Sequence, residues 1–106
     1  MAELLSGTLD LLVLRVLNSG SLHGFGIGER IYFLSNEALL VEEGSLYPAL
    51  YRMEKKGWIA AEWGESERGR RAKLYSLTRA GRKQLAAEEK NWVQNATAIT
   101  QILKNA

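Results

Sequence analysis

The amino-acid sequence predicts an α+β fold that is mostly α: three short helices, a two-stranded hairpin and a long C-terminal helix. Three observations carry this. Apolar residues recur at helical spacing near the start, in the middle and again over the final segment. Between the third and the last of these segments the period changes to alternation. Polar breaks containing Gly20, Gly57 and Gly69 separate the elements.

Helix 1 is expected at about residues 7–18, in "SGTLDLLVLRVLN". Ser6 or Thr8 suits its cap, and Asp10 suits the positive end of its dipole. Leu9, Leu12, Val13 and Val16 form its apolar stripe, and Asn18, Ser19 and Gly20 end it. A second stripe, Ile27, Ile31 and Leu34, marks helix 2 in "SLHGFGIGERIYFLSNE". The "GFGIG" run lacks the spacing of a dinucleotide fingerprint and no strand precedes it, so its small residues are read as allowing close helix packing. His23, the single histidine, is read as a capping or packing residue. Leu40 and Val41 suit a very short strand.

Helix 3 lies in "LLVEEGSLYPALYRMEKKG". Ser45 is a natural N-cap, and Pro48 is expected in the first turn, where a missing N–H costs little. Leu46, Leu50 and Met53 point inward, while Gly57 stops the helix. The outward face carries Ser45, Tyr47, Tyr51, Arg52, Lys55 and Lys56. The alternation from Trp58 to Trp63 and from Ala72 to Leu77 then predicts the hairpin, with "GESERGRR" as its tip and Gly69 at a positive φ. Thr78 is the expected N-cap of the final helix. Leu85, Trp92 and Ile99 fall seven apart, with Ala96 and Leu103 at the interleaved positions four residues after Trp92 and Ile99. That seam, broken by Glu89, is expected to pair with a second copy of the chain, which a small core also favours.

Charge is distributed unevenly. Residues 1–50 carry two arginines against six carboxylates, residues 51–83 carry ten cations against four, and residues 84–106 are balanced. A basic middle segment in a chain of net charge +2 is the footprint of a nucleic-acid face. Absence of cysteine excludes disulfides and thiolate metal sites. With one histidine, no Ser-His-Asp set, and Glu42 and Glu43 simply adjacent before a turn, no catalytic or metal-ligand spacing is present, so neither enzymatic activity nor a cofactor is expected. No apolar run reaches the roughly 20 residues that span a bilayer, and Glu3 and Asp10 interrupt the N-terminus where a signal peptide would be basic and then apolar. A soluble, cytoplasmic protein is expected.

Two helices at a turn, the second with a basic outer face, followed by a hairpin with a basic tip, describe a winged helix-turn-helix over residues 1–78, with a dimerisation helix over residues 79–106. The recognition helix, about residues 45–56, would enter the major groove, and the wing, about residues 66–73, would reach phosphates or the minor groove. Candidate DNA contacts are Ser45, Tyr47, Tyr51, Arg52, Lys55 and Lys56 on the helix and Arg68, Arg70, Arg71 and Lys73 on the wing. Ser45, Tyr47 and Arg52 are placed nearest the bases and Lys56 on phosphate. The competing reading is a winged-helix module that binds another protein and has no specific operator.

The segments "GTLDLLVLRVL", "LHGFGI", "EEGSLYPALYRMEKKGWI" and "GRRAKLYSLTRAG", with a tryptophan in the final helix, resemble the PadR-like transcriptional regulators over roughly residues 6–92. The resemblance implies a dimeric winged-helix transcription factor, usually a repressor and often released by a small molecule. Where the family commonly has G-R-P-x-K-x-Y, this chain has Arg71 in place of the proline, which adds a charge. A single C-terminal helix resembles the short subgroup. Trp92 admits two readings, a bulky seam residue or, with the helix 1 face, the wall of a site for an aromatic effector. The double-stranded DNA partner of such a dimer would be an inverted repeat with half-sites roughly 34 Å apart.

Overall fold

Five apolar side chains within nine residues leave the first helix almost no polar side towards the molecule. Leu9, Val13, Leu14, Val16 and Leu17 are all buried. The computed structural model describes residues 6–65, 69 and 71–106. In it this helix, α1 (Ser6–Asn18), is the hub: it packs on the second helix, the third helix, the last helix and the last strand. The order continues as β1 (Leu22–His23), α2 (Gly24–Leu34), α3 (Glu43–Lys55), β2 (Ile59–Glu65), β3 (Arg71–Leu77) and α4 (Arg79–Asn105). The predicted α+β, mostly α fold is the observed one.

The sheet has the order β1-β3-β2 and is antiparallel throughout. The two long strands pair from Ile59↔Leu77 out to Glu65↔Arg71. The expected strand at Leu40 and Val41 does not form; the third strand is Leu22–His23, paired as Leu22↔Tyr75 and His23↔Leu74. The physical reason is that a strand needs an open ladder. β1 takes the free edge of β3, and Leu39 and Val41 pack their side chains against the core instead.

Between α2 and α3 the turn is built by Ser35. Its hydroxyl donates to the Tyr32 carbonyl (3.0 Å) and accepts from the Leu39 amide (3.0 Å). Asn36 and Glu37 follow in the left-handed region, at φ 55° and 64°. The chain therefore enters α3 earlier than expected. Glu42 occupies the N-cap position, Ser45 lies inside the first turn rather than capping it, and Pro48 falls beyond that turn, inside the helix. Leu34, assigned to the inward stripe of α2, is exposed.

At the other end of α3 the cap is complete. The Gly57 amide donates to Glu54 and the Trp58 amide to Met53, with Gly57 at φ 79°. This is the paired arrangement that glycine permits without a Cβ penalty. Thr78 caps α4 as expected, its Oγ1 accepting from the Gly81 amide at 3.0 Å. The same hydroxyl reaches the carbonyls of Gly57 and Trp58, at 2.6 and 2.9 Å.

The core joins α1, Ile27 and Ile31 of α2, Leu46, Ala49, Leu50 and Met53 of α3, and Ile59, Tyr75 and Leu85. Burying each such aliphatic side chain contributes about 2 kcal/mol. Leu85, assigned to a dimer seam, is thus a core residue of its own domain, because the first turns of α4 lie across α1. The apolar surface that α4 leaves open begins at Trp92 and includes Ile99 and Leu103.

A Cβ on Gly81 would lie 2.0 Å from the Trp58 carbonyl oxygen and 2.6 Å from Leu77 Cδ1. Backbone cannot swing aside as a side-chain tip can, so Gly81→Ala is expected to cost about 3 kcal/mol, the upper end of ordinary overpacking. Urea denaturation of the two proteins measures it; an unchanged midpoint would mean that α4 shifts freely on the hairpin.

Candidate nucleic-acid interface

The buried residues of α3 fall on one side, so the opposite side must face outwards. Ser45, Tyr47, Pro48, Tyr51, Lys55 and Lys56 are all exposed, Tyr51 to 61%. Across from them stands the hairpin. Trp63 and Lys73 are direct cross-strand partners on one face, in line with the Glu65↔Arg71 and Ala61↔Tyr75 pairs. Helix and hairpin together with the start of α2 enclose a cleft of about 520 Å³. It is lined by Phe25, Tyr47, Tyr51, Trp63 and Tyr75, with Arg71, Lys73 and Glu54 among them.

The cations of this surface are held in place by aromatic faces. Lys55 Nζ lies 5.0 Å from the Tyr51 ring centre and Lys56 Nζ 4.6 Å from that of Trp58. On the wing, the Arg71 guanidinium is 5.0 Å and Lys73 Nζ 5.5 Å from the ring of Trp63. Such contacts contribute about 0.5–1 kcal/mol at exposed sites and engage the ring face rather than a hydrogen-bond acceptor. Lys73 also pairs with Glu54 at 3.5 Å, tying the wing to α3.

Most of the expected DNA-facing residues are therefore brought together. Arg71 belongs to β3 rather than to the tip. Arg68 and Arg70 lie outside the described residues. Gly69 has the expected positive φ, 72°. Arg52 stands apart: one terminal nitrogen donates to Asp10 of α1, directed into the protein rather than towards the cleft. Asp10 accordingly serves as the partner of Arg52, not as a first-turn dipole residue, since α1 begins early enough to leave it beyond that turn.

Five of these residues were not marked by sequence reasoning: Asp10 as an ion-pair partner, and Phe25, Glu54, Trp63 and Tyr75 as cleft lining. The alternation of the hairpin put Trp63 on a strand, but only the register sets it opposite Lys73. Nothing local signals Asp10 and Arg52, which are 42 positions apart.

Tyr47 rests on the N-terminus of α2, where Gly24 admits it. A Cβ there would lie 2.7 Å from Tyr47 Cε1 and 2.9 Å from its hydroxyl. Although Tyr47 is exposed as a whole, its phenol end packs against Gly24, and this partial desolvation, then the nearby Glu43 carboxylate, raise its pKa. Burial raises that of Tyr75 too, followed by Glu54 and Tyr47. Both phenols consequently keep their protons, and their ability to donate, to higher pH than an ordinary tyrosine.

A second, mostly apolar cleft of about 380 Å³ lies between α1 and α4, where Leu11 and Leu12 face Trp92 and Val93 beside Leu39. Arg15 and Glu89, 3.9 Å apart, also line it. Among the described residues no group of three or more histidine, aspartate or glutamate side chains is placed to hold a metal ion. Nor, among them, is any helix long and apolar enough to cross a membrane.

The chain resembles known proteins across nearly its whole length. The family model for the transcriptional regulator PadR-like family matches residues 13–87. An uncharacterised protein of Lysinibacillus sphaericus is 29% identical over 93 residues, which cover 88% of this chain and 85% of that one. A transcriptional regulator from Clostridium thermocellum superposes with a TM-score of 0.82 at 28% identity, over 90% of this chain and 92% of that chain. A PadR-like transcriptional regulator from Bacillus cereus gives 0.80 at 26% identity, over 99% and 100%. For a PadR family transcription regulator from Clostridium difficile the values are 0.75 and 28%, over 90% and 97%.

Two outcomes are expected from this geometry. Gly24→Ala pushes against the free end of a side chain, so stability falls by no more than about 1 kcal/mol. The Tyr47 ring leaves its seat, and affinity for duplex DNA drops to that of Tyr47→Ala, as fluorescence anisotropy measures. The second concerns alkali. A raised folded-state pKa makes the tyrosines' contribution to stability complete below the free-chain value of 10.0 and lost as pH rises through the folded values. Urea midpoints taken between about pH 8 and about pH 11 should fall less steeply in Tyr75→Phe than in the parent.

Proposed function

Since the chain belongs to the PadR-like family of transcriptional regulators, DNA-binding proteins rather than enzymes, we propose that it works in the cytoplasm as a dimeric repressor of an inverted-repeat operator. The observation that carries this reading is the cleft between α3 and the wing, with the exposed Tyr47 and Tyr51 on the α3 wall and Trp63, Arg71 and Lys73 on the wing wall. In the proposed complex α3 lies in the major groove. Ser45, Tyr47, Tyr51 and Lys55 approach base edges, and Lys56, Arg71 and Lys73 lie along phosphates, with Arg68 and Arg70 extending the wing.

Dimerisation is assigned to the outer half of α4. Trp92, Ala96, Ile99 and Leu103 recur at steps of four, three and four, and the three large residues of this stripe are more than half exposed. A helix with such a seam is stabilised by a second helix that covers it. The α1–α4 cleft beside Trp92 falls in the size range of small-molecule sites, and its apolar lining suits a planar aromatic effector. An effector bound there in the dimer would release the DNA.

Anisotropy titrations at several salt concentrations test the reading, using the duplex that the protein enriches from a random library and a scrambled control. A dimer touching ~8 phosphates should give log K against log salt a slope near −7. Arg71→Ala should weaken binding to both duplexes alike and, by removing one phosphate contact from each protomer, reduce the slope by about 2, whereas Tyr51→Ala should weaken the enriched duplex selectively. Absence of binding at low salt would instead favour a protein-interaction module.

A further inference from the structure

Among the described residues Asp10 is the one charged side chain that is buried, at 8% exposure. Its Oδ1 accepts a hydrogen bond from Nη2 of Arg52. This is the only hydrogen bond of Arg52's side chain among the described residues, although 41% of that side chain remains exposed. The pair joins two elements with different tasks. α1 is the packing hub, while α3 carries the exposed face of the cleft. A buried carboxylate stripped of its partner is strongly unfavourable, so the pair resists both rotation and sliding of α3 against α1.

We infer that Asp10 is a positioning residue for DNA reading: it holds Arg52, and through Arg52 sets the rotation at which α3 presents its outer face. Arg52 then acts through its carboxylate partner and reads no base. This rests on the DNA-reading surface proposed above. The leverage is geometric. Side-chain tips lie roughly 6 Å from a helix axis, so a rotation of about 20° moves them by about 2 Å. That exceeds what a base-edge hydrogen bond tolerates.

Five proteins decide the matter: wild type, Asp10→Asn, Arg52→Gln, Arg52→Lys and the Asp10→Asn/Arg52→Gln double variant. Each is titrated with the enriched duplex and its scrambled control, and salt slopes and urea midpoints are recorded. Asp10→Asn and Arg52→Gln are each expected to lose about tenfold in preference for the enriched duplex, within the range of measured pair couplings. The double variant should lose no more than either, and the salt slopes should stay unchanged. Arg52→Lys, which keeps a cation beside Asp10, should retain most of the preference. If Asp10→Asn keeps wild-type preference while Arg52→Gln loses it, Arg52 reads DNA directly and the inference falls. Full preference in every variant overturns it as well, leaving a pair that only stabilises the fold. Should Asp10→Asn fail to fold, Arg52→Gln and Arg52→Lys decide together: preference lost in the first and retained in the second supports positioning, and any other combination overturns it. A wild-type protein that enriches no duplex removes the operator reading, and this inference with it, before any variant is compared.

Discussion

One carbonyl group holds the architecture together. The Trp58 oxygen lies at the junction where α3 ends, the hairpin begins and closes, and α4 starts. It accepts from the Thr78 amide at 3.1 Å and from the Thr78 hydroxyl at 2.9 Å, and Gly81 packs directly over it. Two glycines make this possible for different reasons. Gly57 supplies the left-handed turn that ends α3, and Gly81 supplies the missing Cβ that lets α4 approach. The direction of the hairpin from α3 and of α4 from the hairpin are thus set together. The cleft between α3 and the hairpin and the long helix inherit their relative placement from one crowded point.

Electrostatics on the exposed side follow the same economy of freedom. Long cationic side chains lose rotamer entropy when they are held, and here that ordering is done before any ligand arrives. Tyr51, Trp58 and Trp63 each offer a ring face to a lysine or arginine, and Glu54 restrains Lys73 from across the cleft. A carboxylate set among these cations looks out of place in isolation. Its pairing with Lys73 instead ties the wing to α3, so the two walls of the cleft hold their separation.

Much of this was legible in the residues. The buried stripe Leu46, Leu50 and Met53, the glycine stop at Gly57, the cap at Thr78 and the alternation through the hairpin are local signals, and each appears where expected. Errors arose where a local rule met a non-local alternative. Ser45 has the chemistry of a cap, but the turn made by Ser35, Asn36 and Glu37 delivers the chain to the helix at Glu42. Leu40 and Val41 have strand composition, yet the free sheet edge is filled by Leu22 and His23. Leu85 fits a heptad, but it comes early enough in α4 to be buried against α1.

By itself the sequence determined the four helices and the hairpin in their order, the basic outer face of α3 and the family, though not the short third strand, because periodicity, caps and turn residues act over a few positions. Tertiary structure alone decided which side chains meet: Asp10 with Arg52, Trp63 with Arg71 and Lys73, and Gly24 with Tyr47. Those encounters depend on strand register and on the angle at which α1 crosses α3. Both are set by the packing of the whole core, and neither leaves a trace at the spacing of neighbouring residues.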